Sequence, residues 1–421
     1  FASWMMMENQ SLPILRNLVK LGLFNCHECE CVPPLGHLWS LEELNIFDLS
    51  SVKFIGMEFY GLDCTSVFRS LRKLSIRNLP KLQEWMEVPE RNDLNIFPCL
   101  EELLVEGCPM LKNAPNHFPF LKGFCIQKVG VEKWWFNSAS LTRVEMRECP
   151  DLMKLNWGVN IDAAGCGGVA FHYIEKLILT GLPKLVEWVE GVGGDVSLSS
   201  SPTSNRRSGI FPRLEKLVIE GCPRLKNVPN HFPSLKELDI GWVGVEKWCF
   251  SSTSLTRVEM WGCRDLMKLN WGVNMDVAGG GGVACHYLEK LCLENLPKLV
   301  EWVEGVGGDV SLSSSPTSNR RSGIFPRLEK LVIEGCPRLK NVPNHFPSLK
   351  ELDIGWVGVE KWCFSSTSLT RVEMWGCRDL MKLNWGVNMD VAGGGGVACH
   401  YLEKLCLENL PKLVEWVEGV G

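Results

Sequence analysis

The chain of 421 residues is 45% apolar and 22% charged, enough apolar material for a continuous core and too much for general disorder. Its 44 basic and 49 acidic side chains leave a net charge of −5, spread along the chain rather than gathered into one arm, which excludes a broad electrostatic grip on nucleic acid or anionic lipid. No apolar run approaches the length of a membrane span, and no basic-then-apolar signal segment opens the sequence.

In chain order, one nine-residue pattern keeps returning: an apolar residue at places one, four and six, often with cysteine at nine. Copies start at Leu18, Leu41, Leu71, Leu100, Leu121, Leu141, Ile174, Leu214, Leu235, Leu255, Leu288, Leu328, Leu349, Leu369 and Leu402. A spacing of roughly 20 to 40 residues with this pattern is that of a leucine-rich repeat, in which each copy adds one short strand to a parallel sheet. Residues four and six, such as Leu217 and Ile219, fall on one face of a period-two strand and point into the core. The expected fold is an α/β repeat solenoid, an irregular horseshoe with the parallel sheet on its concave face and mostly loop and short helix on the convex side.

Cys26, Cys108, Cys149, Cys222, Cys263, Cys336 and Cys377 occupy the ninth place, where a small buried side chain fits as the chain turns behind the strand. They are read as structural. The total of nineteen cysteines, without a signal segment or the short length of a disulfide scaffold, predicts reduced thiols and a cytoplasmic location.

A longer period lies over the short one. Residues 171–284 recur almost unchanged as 285–398, an offset of 285 − 171 = 114. Residues 68–170 read as an older, diverged copy, 1–67 as N-terminal repeats, and 399–421 as the start of a further unit cut off at Gly421. With Phe1 rather than Met at its head, the whole reads as a fragment, one leucine-rich-repeat domain over 1–421. The stretches Asp195 to Gly209 and Asp309 to Gly323, and the glycine runs Gly279 to Gly282 and Gly393 to Gly396, read as mobile low-complexity loops.

No constellation for catalysis stands out. The glycine runs lack the Gly-Lys-Ser/Thr ending that cradles phosphate. The histidines recur in architectural contexts, as in His117, His231 and His345 or His172, His286 and His400. Cys26, Cys29 and Cys31 beside His27 have no second pair to close a zinc site. Arg206-Arg207-Ser208 resembles a basic-directed phosphorylation site, a triplet common by chance. No catalytic, cofactor or metal residue is assigned.

The outward strand places carry more. At residue three come Lys216, Glu237 and Arg257, and at residue two Glu215 and Lys236, so adjacent strands set opposite charges side by side as a lateral ion-pair ladder. Residues five, seven and eight break that pattern, with Asp239 beside Glu259 and Trp242 and Trp261 displayed nearby. Asp353, Glu373, Trp356 and Trp375 repeat them. Repelling carboxylates and exposed indoles favour a partner with basic and apolar groups; the other reading is that the tryptophans fold over the strand edge as packing. Trp188, Trp248, Trp271 and Trp302, among Leu and Val in the connecting segments, are expected in the core.

The opening run from Leu15 to Gly61 carries Asn25-Cys26 with Cys29, the turn Pro33-Pro34-Leu35-Gly36, and Val52-Lys53-x-Ile55-Gly56-x-Glu58-Phe59-Tyr60-Gly61. Further on come Phe97-Pro98-x-Leu100-Glu101-x-Leu103 and Leu182-Pro183-Lys184-Leu185-x-Glu187-Trp188. These resemble the C-terminal leucine-rich-repeat region of plant intracellular nucleotide-binding leucine-rich-repeat disease-resistance proteins of the coiled-coil type. The resemblance implies a recognition and autoinhibitory module of an immune receptor. Its partners would be a pathogen effector, a guarded host protein and the receptor's own nucleotide-binding domain. ADP or ATP would bind that upstream domain and nothing in this span. The rival readings are a substrate adaptor such as a ubiquitin-ligase receptor, and an extracellular ectodomain, which the lone sequon at Asn9 and the missing paired-cysteine caps disfavour.

Overall fold

A computed structural model describes residues 15–61, 67–87, 96–115, 117–136, 138, 140–157, 171–190, 211–229, 232–250, 252–271, 285–304, 325–343, 346–364, 366–385 and 401–418. The serine-rich stretches, both glycine runs, His231, His345, His400 and Arg206-Arg207-Ser208 lie outside them. The chain forms two compact units, Phe1–Arg213 with Gly221–Asn227, and Leu214–Glu220 with Val228–Gly421.

The first unit holds β1 (Lys20–Phe24), β2 (Glu43–Phe47), β3 (Phe54–Ile55), β4 (Lys73–Arg77), β5 (Glu84–Trp85), β6 (Glu102–Cys108), β7 (Gly123–Val129), β8 (Lys133–Phe136), β9 (Arg143–Arg147), β10 (Lys154–Trp157), β11 (Lys176–Thr180) and β12 (Glu187–Glu190). With β13 (Lys216–Cys222) the second begins, followed by β14 (Glu237–Val243), β15 (Lys247–Cys249), β16 (Arg257–Trp261), β17 (Lys268–Trp271), β18 (Lys290–Glu294), β19 (Glu301–Glu304), β20 (Lys330–Glu334), β21 (Glu351–Gly355), β22 (Lys361–Cys363), β23 (Arg371–Trp375), β24 (Lys382–Trp385), β25 (Lys404–Glu408) and β26 (Glu415–Glu418). The main sheet takes β1, β2, β4, β6, β7, β9 and β11 in the first unit, and β13, β14, β16, β18, β20, β21, β23 and β25 in the second. That is one strand for each of the fifteen copies of the pattern, every one starting at the third residue. The fold is a leucine-rich-repeat solenoid.

Pairing is parallel and in equivalent register, Leu238 against Val258 and Ile240 against Met260 for example, so each place of the pattern forms a row across the sheet. In all copies but the first and the last, the inward rows at places one, four, six and nine are buried, as Leu255, Val258, Met260 and Cys263 are. Six of the seven ninth-place cysteines are fully buried, and desolvation pushes the Cys108, Cys149 and Cys263 thiols up to about 11. Cys26, in the opening repeat, is only half-buried. The cysteines of the described residues are free thiols.

The side expected to be loop and short helix carries short strands instead. β8, β10 and β12 form one small parallel sheet, β15, β17 and β19 a second, β22, β24 and β26 a third, and β3 pairs with β5. The physical reason lies in the repetition: short segments such as Lys247-Trp248-Cys249 and Lys268-Leu269-Asn270-Trp271 stand in register with their counterparts in neighbouring repeats, Trp248 against Leu269 and Leu269 against Trp302, and pair there. The described residues contain one helical element, the 3-10 turn Met57–Tyr60. The expected core tryptophans line these strands: Trp271 is fully buried, stacks on Phe250 at 3.9 Å and meets Trp302 at 5.1 Å. Trp188 and Trp248 are buried too.

Buried serines tie neighbouring turns together. The Ser252 hydroxyl donates to the Leu235 carbonyl at 2.7 Å and accepts from the Ser254 N–H at 3.1 Å, and Ser138 and Ser366 repeat the arrangement.

Candidate recognition surface

The eighth place of the pattern decides the shape of the outward surface. There the chain leaves the strand, and in all fifteen copies the residue has a positive φ. Glycine and asparagine fill ten of those places, six and four respectively, because L side chains are strained in the left-handed region and these two suffer least. Trp242 and Trp356 adopt it at φ 48°, at a cost on the order of 1 kcal/mol each.

Both of these tryptophans are displayed, 49% and 51% exposed. Trp242 meets the half-buried Trp261 edge to face at 6.3 Å, and Trp356 meets Trp375 in the same way. The indoles interlock through glycine. The Trp261 ring occupies the space a Cβ on Gly241 would need, and the Trp242 ring fills the space above Gly262. Beside each pair lies a hollow. The first, of 550 Å³, is bordered by Trp242, Trp261, Arg264, Glu294, Asn295 and Pro297. The second, of 710 Å³, has the equivalent residues Trp356, Trp375, Arg378, Glu408, Asn409 and Pro411.

The ion-pair ladder forms in part. Lys216 reaches Glu237 at 2.6 Å and Lys236 reaches Glu215 at 2.7 Å, with Lys20–Glu43, Lys73–Glu102 and Lys330–Glu351 alike at 2.8–3.0 Å. Arg257 turns along its own strand instead and pairs with Glu259 at 2.8 Å, which Lys290 meets at 2.7 Å. Arg371 and Lys404 hold Glu373 in the same manner.

Asp239 and Glu259 are direct register neighbours, but their charges stand differently. Burial opposes the ionisation of Glu259, and the hydrogen bonds of Arg257 and Lys290 outweigh it, so its carboxyl is lowered. Arg371 and Lys404 hold Glu373 down at about 2. For Asp239 and Asp353 burial prevails, reinforced by Glu259 and Glu373 against the pull of Arg257 and Arg371, and both carboxyls are raised. One oxygen of each, Oδ1, is buried without a hydrogen-bond partner. The eight residues singled out from sequence thus fall into two equivalent groups 114 residues apart, in which only the aspartates carry a poorly compensated charge.

The family model described as R13L1/DRL21 LRRs matches residues 1–49. The Arabidopsis thaliana protein named "Putative disease resistance RPP13-like protein 1" is 35% identical over 139 residues, 31% of this chain and 12% of that protein. Over part of its length the chain is thus similar to plant disease resistance proteins. Disease resistance protein RGA2 of Solanum bulbocastanum is 28% identical over 151 residues, 34% of this repeat region and 15% of RGA2. The region therefore spans a small part of the length of these relatives. The solved structure of YopM from Yersinia enterocolitica WA-314 aligns with 96% of the repeat region and 91% of its own chain, at 14% identity and a TM-score of 0.33.

Two features of this surface were missed from sequence. Glu294 and Glu334, at the seventh place of adjacent strands, pair in register, and neither side chain makes an ion pair or hydrogen bond among the described residues. The strain at Trp242 and Trp356 was missed as well, although the signal was present: a tryptophan where other copies hold glycine or asparagine. Among the described residues no three His, Cys, Asp or Glu side chains converge as metal ligands, and no helix is long and apolar enough to cross a membrane.

Proposed function

We propose that this region is the recognition and autoinhibitory module of a cytoplasmic plant immune receptor, binding a pathogen effector or a guarded host protein through the outward face of its main sheet. In the resting state it holds an upstream nucleotide-binding domain, loaded with ADP or ATP, in its inactive form. The role is binding, not catalysis.

One observation carries this reading: Trp242 and Trp356 are held exposed in a backbone conformation that glycine would adopt without strain. A side chain kept at such a cost on the surface, near the half-buried Trp261, Trp375, Asp239 and Asp353, points to a binding role. Glu259 and Glu373, already paired, would position their neighbours.

The test is cell death in leaf tissue expressing the receptor that contains this region. Trp242→Gly with Trp356→Gly should abolish the response to its elicitor while the receptor stays silent at rest, and deletion of the region should give signalling without elicitor. A normal elicitor response from the double variant would overturn the assignment of these residues, and a silent deletion would overturn the autoinhibitory role.

A further inference from the structure

The rows of the second unit place more than two separate hollows. In register across β16, β18, β20 and β21, the seventh place reads Trp261, Glu294, Glu334 and Gly355, with Trp242 before this series and Trp356 after it at the eighth place. The two unpaired carboxylates therefore lie side by side, flanked on each side by an exposed indole. Glu334 ionises less readily than usual, through burial and then through the charges of Glu294 and Asp353, as expected of acids that lack a cation.

We infer that the strip from Trp242 to Trp356 is a docking site for an extended segment of a protein partner that bears arginine or lysine side chains. The inference rests on the recognition role proposed above and names the chemistry of what is recognised. Adjacent carboxylates without counter-ions attract cations, and an indole face binds a guanidinium or ammonium group within about 6 Å of its centre. Trp242 and Trp356 lie on strands four steps apart, roughly 19 Å at the usual spacing of parallel strands, which an extended segment of about six residues spans. Arg264, the cation bordering the first hollow, lies on its turn side, so the basic groups belong on the strand side over Glu294 and Glu334.

The strip belongs to the duplication and not to either copy. Trp242 and Trp261 come from residues 171–284, whereas Glu294, Glu334 and Trp356 come from residues 285–398. Residues 171–284 hold Thr180 and Glu220 at the places of Glu294 and Glu334, and within 285–398 the two acids precede Trp356 and Trp375, so the order tryptophan, acid, acid, tryptophan arises only where these two copies meet. In the diverged first copy the places of Trp242 and Trp261 hold Lys128 and Arg147, which offer such a segment no indole face. Tandem duplication thereby creates a site that a single unit lacks.

The test is calorimetric titration of the whole 421-residue chain with a capped hexa-arginine peptide at physiological salt. A one-to-one complex is expected. Glu294→Gln with Glu334→Gln should weaken it roughly tenfold or more, as should Trp242→Gly with Trp356→Gly, while Glu28→Gln with Glu30→Gln, exposed acids of the first unit, should leave it unchanged. Equal effects of the two glutamine pairs would mean diffuse attraction to an acidic chain and would overturn the inference. Should that occur while the tryptophan variants still silence the leaf response, this inference fails and the recognition role stands. A specific peptide complex with an unaltered leaf response would sink the recognition role instead.

Discussion

The Trp242 indole packs over Gly262 of the following repeat, so closely that a Cβ on Gly262 would come within 2.5 Å of the indole nitrogen. Gly262 itself has φ 63°, so one residue meets two demands, a left-handed turn and a bare surface under a ring. Gly262→Ala should therefore cost about 1–2 kcal/mol of stability and shift the Trp242 ring. Urea unfolding and near-ultraviolet circular dichroism check the two effects separately, and Gly376→Ala beneath Trp356 should reproduce them.

Trp242→Asn tests the strain directly. Asparagine occupies the same place in four other copies, so the substitution releases backbone strain while giving up the edge-to-face contact with Trp261, worth about 0.5–1.5 kcal/mol. The net change should lie within about 1 kcal/mol of zero. Trp271→Ala, which empties a fully buried site stacked on Phe250, should cost about 3–5 kcal/mol. A loss at Trp242 as large as that at Trp271 would make Trp242 a packing residue.

The main sheet was legible in the sequence because its signal is repeated: places one, four, six and nine are apolar in copy after copy, and each strand starts where the pattern says. The strands behind it were not, since Lys247-Trp248-Cys249 is too short for periodicity to separate strand from loop. What forms them is alignment with Leu269 and Trp302 in later repeats, information no single segment holds. At the candidate site the neighbours Asp239 and Glu259 were readable from register, but not the turn of Arg257 toward Glu259. That choice depends on Lys290 arriving from the next strand to share the carboxylate. Glu294 and Glu334 escaped notice because each looks like an ordinary surface acid until the register sets them side by side.

Ser252→Ala should destabilise the second unit by about 1 kcal/mol, because its hydroxyl satisfies the Leu235 carbonyl and the Ser254 N–H inside the core and alanine leaves both unpaired. Ser366→Ala should cost as much. Alanine at the exposed Thr253 should change stability by less than about 0.5 kcal/mol. Chemical unfolding of the three variants side by side makes the comparison.

Asp239→Asn and Asp353→Asn should raise stability at neutral pH. Burial and the nearby glutamates raise both carboxyls above their unfolded values, so the native state binds protons more readily than the unfolded chain. Stability falls as pH rises through the raised values, and the full penalty remains at pH 7. The asparagine variants escape it. If these residues serve recognition, the same variants should bind the partner less well, a gain in stability at the expense of function.

Acid should act in the opposite sense at Glu145. This carboxylate is almost fully buried on the outward face, and burial opposes its ionisation, but Arg143 at 2.8 Å, Lys176 at 3.1 Å and Arg147 at 3.2 Å outweigh that and hold it down at about 2. Its unfolded value lies near 4.5, so between those two values the unfolded chain binds the extra proton and stability rises with pH. The contribution is complete above about pH 4.5 and is lost as pH falls toward 2. Glu145→Gln should lower stability at pH 7 and flatten the acid limb in that window. Unfolding midpoints measured from pH 2 to 7 in both proteins decide the matter: parallel acid limbs would mean that the three cations do not act through this carboxylate.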